Sequence, residues 1–199
     1  MNREKRVFFS LNHDVDASLY RDLLRWLATN GVEVNPWTTL DFEREAQFGD
    51  VSYRQSDLVD QIVNSDYVVV IAGESSIDPE GLDTQALNTA AWMKRPIIAL
   101  NINQLKAIDH DHFPSLIADQ LVLHIPMEGL TIKHALETWK DEAFRVRTMG
   151  QIGPVHYSSD VYTLIEERAE EPHPFESQSI TPGSNQAETD SPWSQSAAA

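Results

Sequence analysis

The chain has 199 residues, of which 15 are Lys or Arg and 31 are Asp or Glu, so its formal net charge is −16. This acidity argues against duplex DNA or an anionic membrane as a partner, because such partners are held by clustered Lys and Arg. Cysteine is absent from the sequence, which excludes disulfides, thiolate nucleophiles and cysteine-ligated metal sites. No stretch has the roughly 20 apolar residues of a membrane span, and no signal-peptide core follows the charged start. We therefore expect a soluble, cytoplasmic protein.

The end of the chain differs in composition from the rest. Residues 169–199 contain five acids and four prolines but no Lys or Arg. Because such a segment cannot bury enough apolar surface to offset its chain entropy, we predict one folded domain over residues 1–168 and a disordered acidic tail over residues 169–199.

Apolar runs alternate with amphipathic stretches along the predicted domain. Residues 6–10 are a short apolar run, which predicts the first strand, and a helix capped by Asp16 or Ser18 follows it. A brief second strand is predicted over residues 32–35, ending at Pro36. The polar stretch after it lacks a period and predicts a long loop, which leads into a helix with one apolar face.

The run Tyr67–Ala72 gives the clearest prediction. It is continuous, rich in β-branched residues and followed by Gly73, as is typical of a central strand covered on both faces. The elements predicted after it are a helix over 82–93, a strand over 95–100, a strand over 121–125, a helix around 132–143 and a shorter helix near 160–168.

Five strands separated by helices predict an α/β fold. Their nearly solid apolar runs favour a flavodoxin-like, doubly wound, parallel five-stranded sheet with helices on both faces. Ligands of such sheets bind beyond the carboxyl ends of the strands, near the switch in strand order. The candidate ligand-binding residues are those that follow the predicted strands, including a tryptophan that could stack on a base: Ser10, Asn12, His13, Trp37, Ser75 and Ser76.

Most of these candidates also have a purely structural explanation. Ser10 and Asn12 suit a loop held by its own hydrogen bonds. Ser75 and Ser76 suit the cap of the following helix. His13 is the best-placed histidine for a ligand, but a surface or structural role explains it too. Both interpretations stay open for each residue.

Three other chemistries can be weighed from local motifs. The turn after the first strand has no glycine, which excludes a dinucleotide-binding turn and a P-loop. The third strand is followed by Gly73 and Glu74, so the phosphoacceptor aspartate of a receiver domain is missing. Residues 109–112 read Asp-His-Asp-His, and these side chains are good metal ligands. Because neighbouring side chains diverge in an extended loop, we predict a solvated loop there and no metal site.

Three stretches resemble the signature segments of the TIR-like proteins. They read RVFFSLNHD at residues 6–14, SDYVVVIAGESS at 65–76 and AWMKRPIIAL at 91–100. The resemblance covers about residues 5–145 and is above all to the prokaryotic group that includes the Thoeris antiphage sensor. It implies a TIR-like immune-signalling protein that binds NAD or a related nucleotide and cleaves the nicotinamide–ribose bond to make a messenger, with no further cofactor.

The resemblance also implies a catalytic glutamate on the helix after the third strand. Counted back from the strand over 95–100, that position is Ala86, so this sequence departs from the family's pattern. Asp83 lies one turn earlier on the same helical face, and it is our candidate catalytic carboxylate. An acid that complements the helix dipole in the first turn is the alternative explanation of Asp83.

Functions of different classes therefore remain open. The first is an NAD-cleaving enzyme of antiphage defence. The second, supported by Ala86, is a non-catalytic TIR-like module that binds a nucleotide or a protein partner. A third is a deoxyribosyltransferase-like enzyme, which needs the same helix carboxylate as its nucleophile. The partners we expect are a nucleotide-like small molecule and either a homo-oligomer or an effector protein, without nucleic acid or membrane.

Overall fold

A computed structural model describes residues 4–39, 41, 51–72 and 82–170. The strands are β1 (Lys5–Ser10), β2 (Val34–Thr38), β3 (Tyr67–Ala72), β4 (Ile97–Asn101), β5 (Val122–Pro126) and β6 (Val155–His156). The helices within these residues are α1 (His13–Thr29), α2 (Val51–Asn64), α3 (Leu82–Trp92), α4 (Gly129–Thr148) and α5 (Ser159–Glu170), with a short 3₁₀ helix at Ser115–Ile117. None of these described helices combines the length and the apolar character that crossing a membrane requires.

The strands form one six-stranded sheet in the order β2-β1-β3-β4-β5-β6. Every neighbouring pair is parallel, so the predicted doubly wound α/β fold is confirmed. The predicted number of strands, five, is wrong by one. The extra strand is β6, which pairs with β5 through only two residues, and a segment that short has no readable periodicity.

Side chains of successive strand residues enter two separate cores. On β1, Val7 and Phe9 join the core beneath α1 and α4, whereas Phe8 joins the core beneath α2 and α3. On β3, Val69 belongs to the first core and Val70 to the second, and both are almost fully buried. This alternation confirms that β3 is covered on both faces, as its continuous apolar run predicts.

The predicted start of α1 is wrong. The helix begins at His13, and its N-cap is Asn12 rather than Asp16 or Ser18. Asn12 Oδ1 accepts a hydrogen bond from the Asp14 N–H at 3.1 Å, and Asp16 Oδ2 accepts one from the Asn12 N–H at 3.1 Å. The side chains of Asn12 and Asp16 thus each accept a hydrogen bond from a backbone N–H at the start of the helix.

The predicted end of β2 is also wrong, because the strand continues through Pro36 to Thr38. β2 is the edge strand of the sheet and pairs with β1 alone. A proline is tolerated on an edge strand because its missing N–H can lie on the side without a partner strand.

In residues 109–112, His110 and Asp111 are exposed, as expected of a solvated loop, whereas Asp109 is buried and the loop is not extended. Asp109 is 3% exposed. Its carboxylate accepts from Asn103 Nδ2 at 2.8 Å and contacts His112 Nδ1 at 3.0 Å. The N–H groups of Asp111 and His112 also donate to Asp109 Oδ1, each at 3.2 Å. The chain therefore turns back on Asp109 instead of running extended.

The last helix continues two residues beyond the predicted end of the domain. α5 ends at Glu170, whereas the sequence predicts the boundary after residue 168. Residues 171–199, the rest of the predicted tail, lie outside the described part of the chain.

Candidate functional site

Three polar residues lie at the carboxyl ends of β1 and β2 and in the first turn of α3, and two of them are in contact. Ser10 follows Phe8 by two residues on β1 and therefore shares the face of the α2–α3 core. Thr39 directly follows β2, and Asp83 lies in the first turn of α3. Thr39 Oγ1 donates a hydrogen bond to Asp83 Oδ2 at 3.1 Å. We call Ser10, Thr39 and Asp83 the switch-point site.

The position of this site follows from the strand order. β1 lies between β2 and β3, and α3 follows β3. A bond from the end of β2 to the start of α3 therefore passes over the end of β1, where Ser10 lies. α1 leaves β1 toward one face of the sheet and α3 lies on the other. This divergence is the switch in strand order beside which doubly wound sheets bind ligands.

Asp83, and not position 86, is the helix residue at the ligand end of the sheet. Asp83 is half-buried, and its carboxylate is oriented by Thr39. Ala86 has no exposed surface and packs in the α2–α3 core with Leu87 and Ala90. A glutamate at position 86 would therefore enter an apolar core, where an unpaired carboxylate is very costly.

Ser10 forms the floor of the site. It has no exposed surface, and its Oγ lacks a hydrogen-bond partner within the described residues. The Ser10 backbone pairs with Val70 on β3, so the residue lies beside the central strand. A buried hydroxyl without a partner is uncommon in folded proteins.

The other described sequence candidates lie on α1 and β2 or directly before α1. Asn12 uses its side chain as the cap of α1, which supports the structural interpretation of that residue. His13 is the first residue of α1 and is half-buried. Trp37 pairs with Phe8 on the neighbouring strand, and its partly buried side chain packs against the α2–α3 core. Ser75 and Ser76 lie outside the described residues.

Thr39 is a site residue that the sequence did not predict, and Asp41 lies two residues after it in the chain. Asp41 Oδ2 accepts from the Thr38 N–H at 2.8 Å and from Thr38 Oγ1 at 3.0 Å. Burial, and then the charge of Asp41, raises the pKa of Tyr20 to about 12. The alternation of residue types from Val34 onward could have indicated a longer strand. Because the predicted strand ended at Pro36, these residues were assigned to a loop, and their orientation relative to the sheet was not considered.

The described residues contain no cluster of three or more His, Cys, Asp or Glu side chains able to hold a metal ion. The side chains of Asp109 and His112 contact each other and hold their loop, whereas His110 and Asp111 are exposed. His124 of β5 is fully buried and its Nδ1 accepts from the Asp109 N–H at 3.4 Å. Burial is the main cause that lowers the pKa of His124 to about 4, so the ring is neutral near neutral pH.

No protein-family model matches the chain, and no curated protein matches it in sequence. Among solved structures, the CMP N-glycosidase BcmB of Clostridium botulinum is similar at 16% identity and a TM-score of 0.39, covering 83% of this chain and 98% of that chain. A conserved protein from Enterococcus faecalis V583 is similar at 13% identity and a TM-score of 0.38, covering 83% and 99%. At these identities and TM-scores, neither likeness carries an argument about the chemistry of the switch-point site.

Proposed function

We propose that this protein cleaves the N-glycosidic bond of a nucleoside or of a molecule that contains one, with Asp83 as the carboxylate that acts on the ribose. The supporting observation is the 3.1 Å hydrogen bond from Thr39 to Asp83. It fixes a half-buried carboxylate over the end of β1, at the place where sheets of this topology bind their ligands. A fixed negative charge there suits a reaction whose transition state carries positive charge on a sugar.

In the proposed hydrolysis, the bond between ribose C1′ and the base nitrogen breaks, and its electron pair leaves with the base. A pyridinium base such as nicotinamide departs neutral, whereas a neutral base takes up a proton. Positive charge develops on the ribose ring and is stabilised by the Asp83 carboxylate. A water oxygen then bonds to C1′ and loses a proton, which leaves a free sugar hydroxyl.

The resemblance to TIR-like proteins extends this proposal. It makes the nicotinamide–ribose bond of NAD a candidate for the scissile bond, and it makes a messenger role in antiphage defence a candidate for the purpose of the reaction. The sequence has Ala86 where the resemblance implies a catalytic glutamate. This difference weighs less against catalysis than the sequence indicates, because the side chain at position 86 faces the core. The burial of Ala86 therefore removes the specific support for a non-catalytic module.

The test incubates the purified full chain with NAD, nicotinamide riboside, adenosine and cytidine, alone and with extract of phage-infected cells as a source of a trigger. Free base and the sugar product, which is ribose from the nucleosides and ADP-ribose from NAD, are measured by liquid chromatography and mass spectrometry, and ¹⁸O-labelled water reports attack at C1′. We expect base release with one ¹⁸O atom in the sugar product. Saturable binding of these compounds without release under any condition would instead favour the non-catalytic module.

A further inference from the structure

The first turn of α1 is closed to an anion by the chain itself. A helix start after the first strand is a usual phosphate site, because its free N–H groups and dipole attract anions. Here the Asn12 N–H donates to Asp16 Oδ2 and the Asp14 N–H donates to Asn12 Oδ1, both at 3.1 Å. The Val15 N–H donates to the Asn12 carbonyl at 3.2 Å. Three of the four N–H groups that a helix start leaves open are thus already engaged.

The same turn also carries two negative charges. Asp16 is 1% exposed and points its carboxylate at the N-cap N–H, where a phosphate oxygen would have to lie. Asp14, two residues before Asp16 in the same turn, is exposed. A phosphate placed at this helix start would meet like charge at short range, partly in a buried setting where repulsion is weakly screened.

The remaining described edges of the switch-point site are acidic as well. Residues 10–16, 38–41 and 82–88 together contain four acids and no Lys or Arg. The Asp41 carboxylate lies at the carboxyl end of β2, and the Asp83 carboxylate lies at the start of α3.

The two neighbouring segments outside the described residues do not reverse this charge. By sequence, residues 42–50 and 73–81 contain six acids and one basic residue, Arg44. By sequence, these two segments therefore add more acidic than basic residues to the chain beside β2 and β3.

We infer that the substrate of the switch-point site is a nucleoside without a 5′-phosphate, and that a nucleoside with a cationic base is preferred over a neutral one. The inference rests on the proposed function, since it names the substrate class of the same site, and among the substrates which that proposal allows it selects the nucleoside over NAD. By this inference, the switch-point site differs from nucleotide-binding sites, which offer a phosphate cationic side chains or unpaired N–H groups.

Three compounds with the same scissile bond isolate the effect of the phosphate. Nicotinamide riboside is a cation, whereas nicotinamide mononucleotide and NAD carry net negative charge. We expect kcat/KM for the riboside to exceed that for the mononucleotide and for NAD by about tenfold or more at low salt, and high salt to narrow the gap through screening. Adenosine should likewise exceed its 5′-monophosphate, and the riboside should exceed adenosine.

A matched pair of variants tests the cause. Asp14→Asn removes an exposed charge from the first turn of α1 and should raise the rate with the mononucleotide relative to the riboside several-fold. Asp160→Asn makes the same change in the first turn of α5 and should leave that ratio unchanged. Equal shifts in both variants would mean that net charge, and not the start of α1, sets the preference, and would overturn the inference.

The remaining outcomes separate this inference from the proposed function. Equal or better cleavage of the mononucleotide or NAD would overturn the inference and leave the proposed function standing. If no compound is cleaved, the proposed function fails. The inference is then decided by calorimetry, which compares the binding of the riboside with that of the mononucleotide. Tighter binding of the riboside would support it, whereas tighter binding of the mononucleotide, or no binding at all, would overturn it.

Discussion

Thr39 and Asp83 are 44 positions apart in sequence, yet Thr39 Oγ1 donates to Asp83 Oδ2 at 3.1 Å across the end of β1. This single bond joins the edge strand to the helix that follows the central strand. It also fixes the direction of the one carboxylate to which we assign the chemistry, so its removal tests how far the site depends on positioning.

Thr39→Val should lower the rate of base release by about tenfold or more, because a carboxylate displaced by about 1 Å stabilises the transition state poorly. We expect kcat to fall more than KM rises. Thr39→Ser keeps the hydroxyl and should retain most of the rate. Equal rates for wild type and Thr39→Val would show that the bond has no positioning role.

Ser10→Ala should leave the free energy of unfolding unchanged or raise it slightly, because the deleted hydroxyl is buried without a hydrogen-bond partner in the described part of the chain. Ser65 offers a matched control, since it is buried and its Oγ donates to the Gln61 carbonyl at 2.7 Å. Ser65→Ala should cost about 1 kcal/mol. Urea titration measures both, and a clear loss in Ser10→Ala would reveal an interaction of this hydroxyl that we have not assigned.

Val69→Asp and Val70→Asp should each abolish soluble expression. Both side chains are almost fully buried, one in each core, so the new carboxylate would be buried without a partner. Val59→Asp, at an exposed position of α2, serves as the control and should express normally. Soluble protein from either β3 variant would contradict the doubly covered strand.

His124 should make the protein less stable as the pH falls. Its pKa in the folded state, about 4, lies below the ordinary value of 6.5, because burial disfavours the charged ring more than Asp109 favours it. The unfolded chain therefore takes up the proton first, and stability that is complete above about pH 6.5 is lost as the pH falls toward 4. Between about pH 7 and about pH 5, the loss attributable to this group should be about 2 kcal/mol.

The comparison with His124→Asn isolates this effect. Asparagine keeps an acceptor near the Asp109 N–H and cannot take up the proton, so the variant should lose less stability over the same pH range. Urea titrations at each pH measure the difference. Parallel pH profiles for the two proteins would show that His124 does not control acid stability.

The sequence predicted the elements whose patterns are long and uniform. Tyr67–Ala72 is a solid β-branched run, and its place at the centre of a parallel sheet follows from the need to cover both of its faces. Asp83 came from the resemblance to TIR-like proteins, as the acid one turn before Ala86 on the same helical face, and its catalytic role stays a prediction.

The parts that could not be predicted depend on tertiary context. Whether Pro36 ends a strand is decided by the edge position of β2, which no local pattern reports, and Thr39 was missed as a consequence. Asp109 has the sequence of a solvated loop and is buried only because the chain folds back onto His124. Ala86 looked like a lost catalytic position because counting along a helix does not show which side meets the core.

The most direct test of the central claim compares base release by wild type, Asp83→Asn and Asp160→Asn, with nicotinamide riboside as the substrate. Both variants remove one charge from the second residue of a helix, where such a charge contributes at most about 1 kcal/mol to stability, so both should fold. We predict that Asp83→Asn loses about a hundredfold or more in kcat and that Asp160→Asn keeps the wild-type rate. Equal release by wild type and Asp83→Asn would contradict the assignment of the chemistry to Asp83.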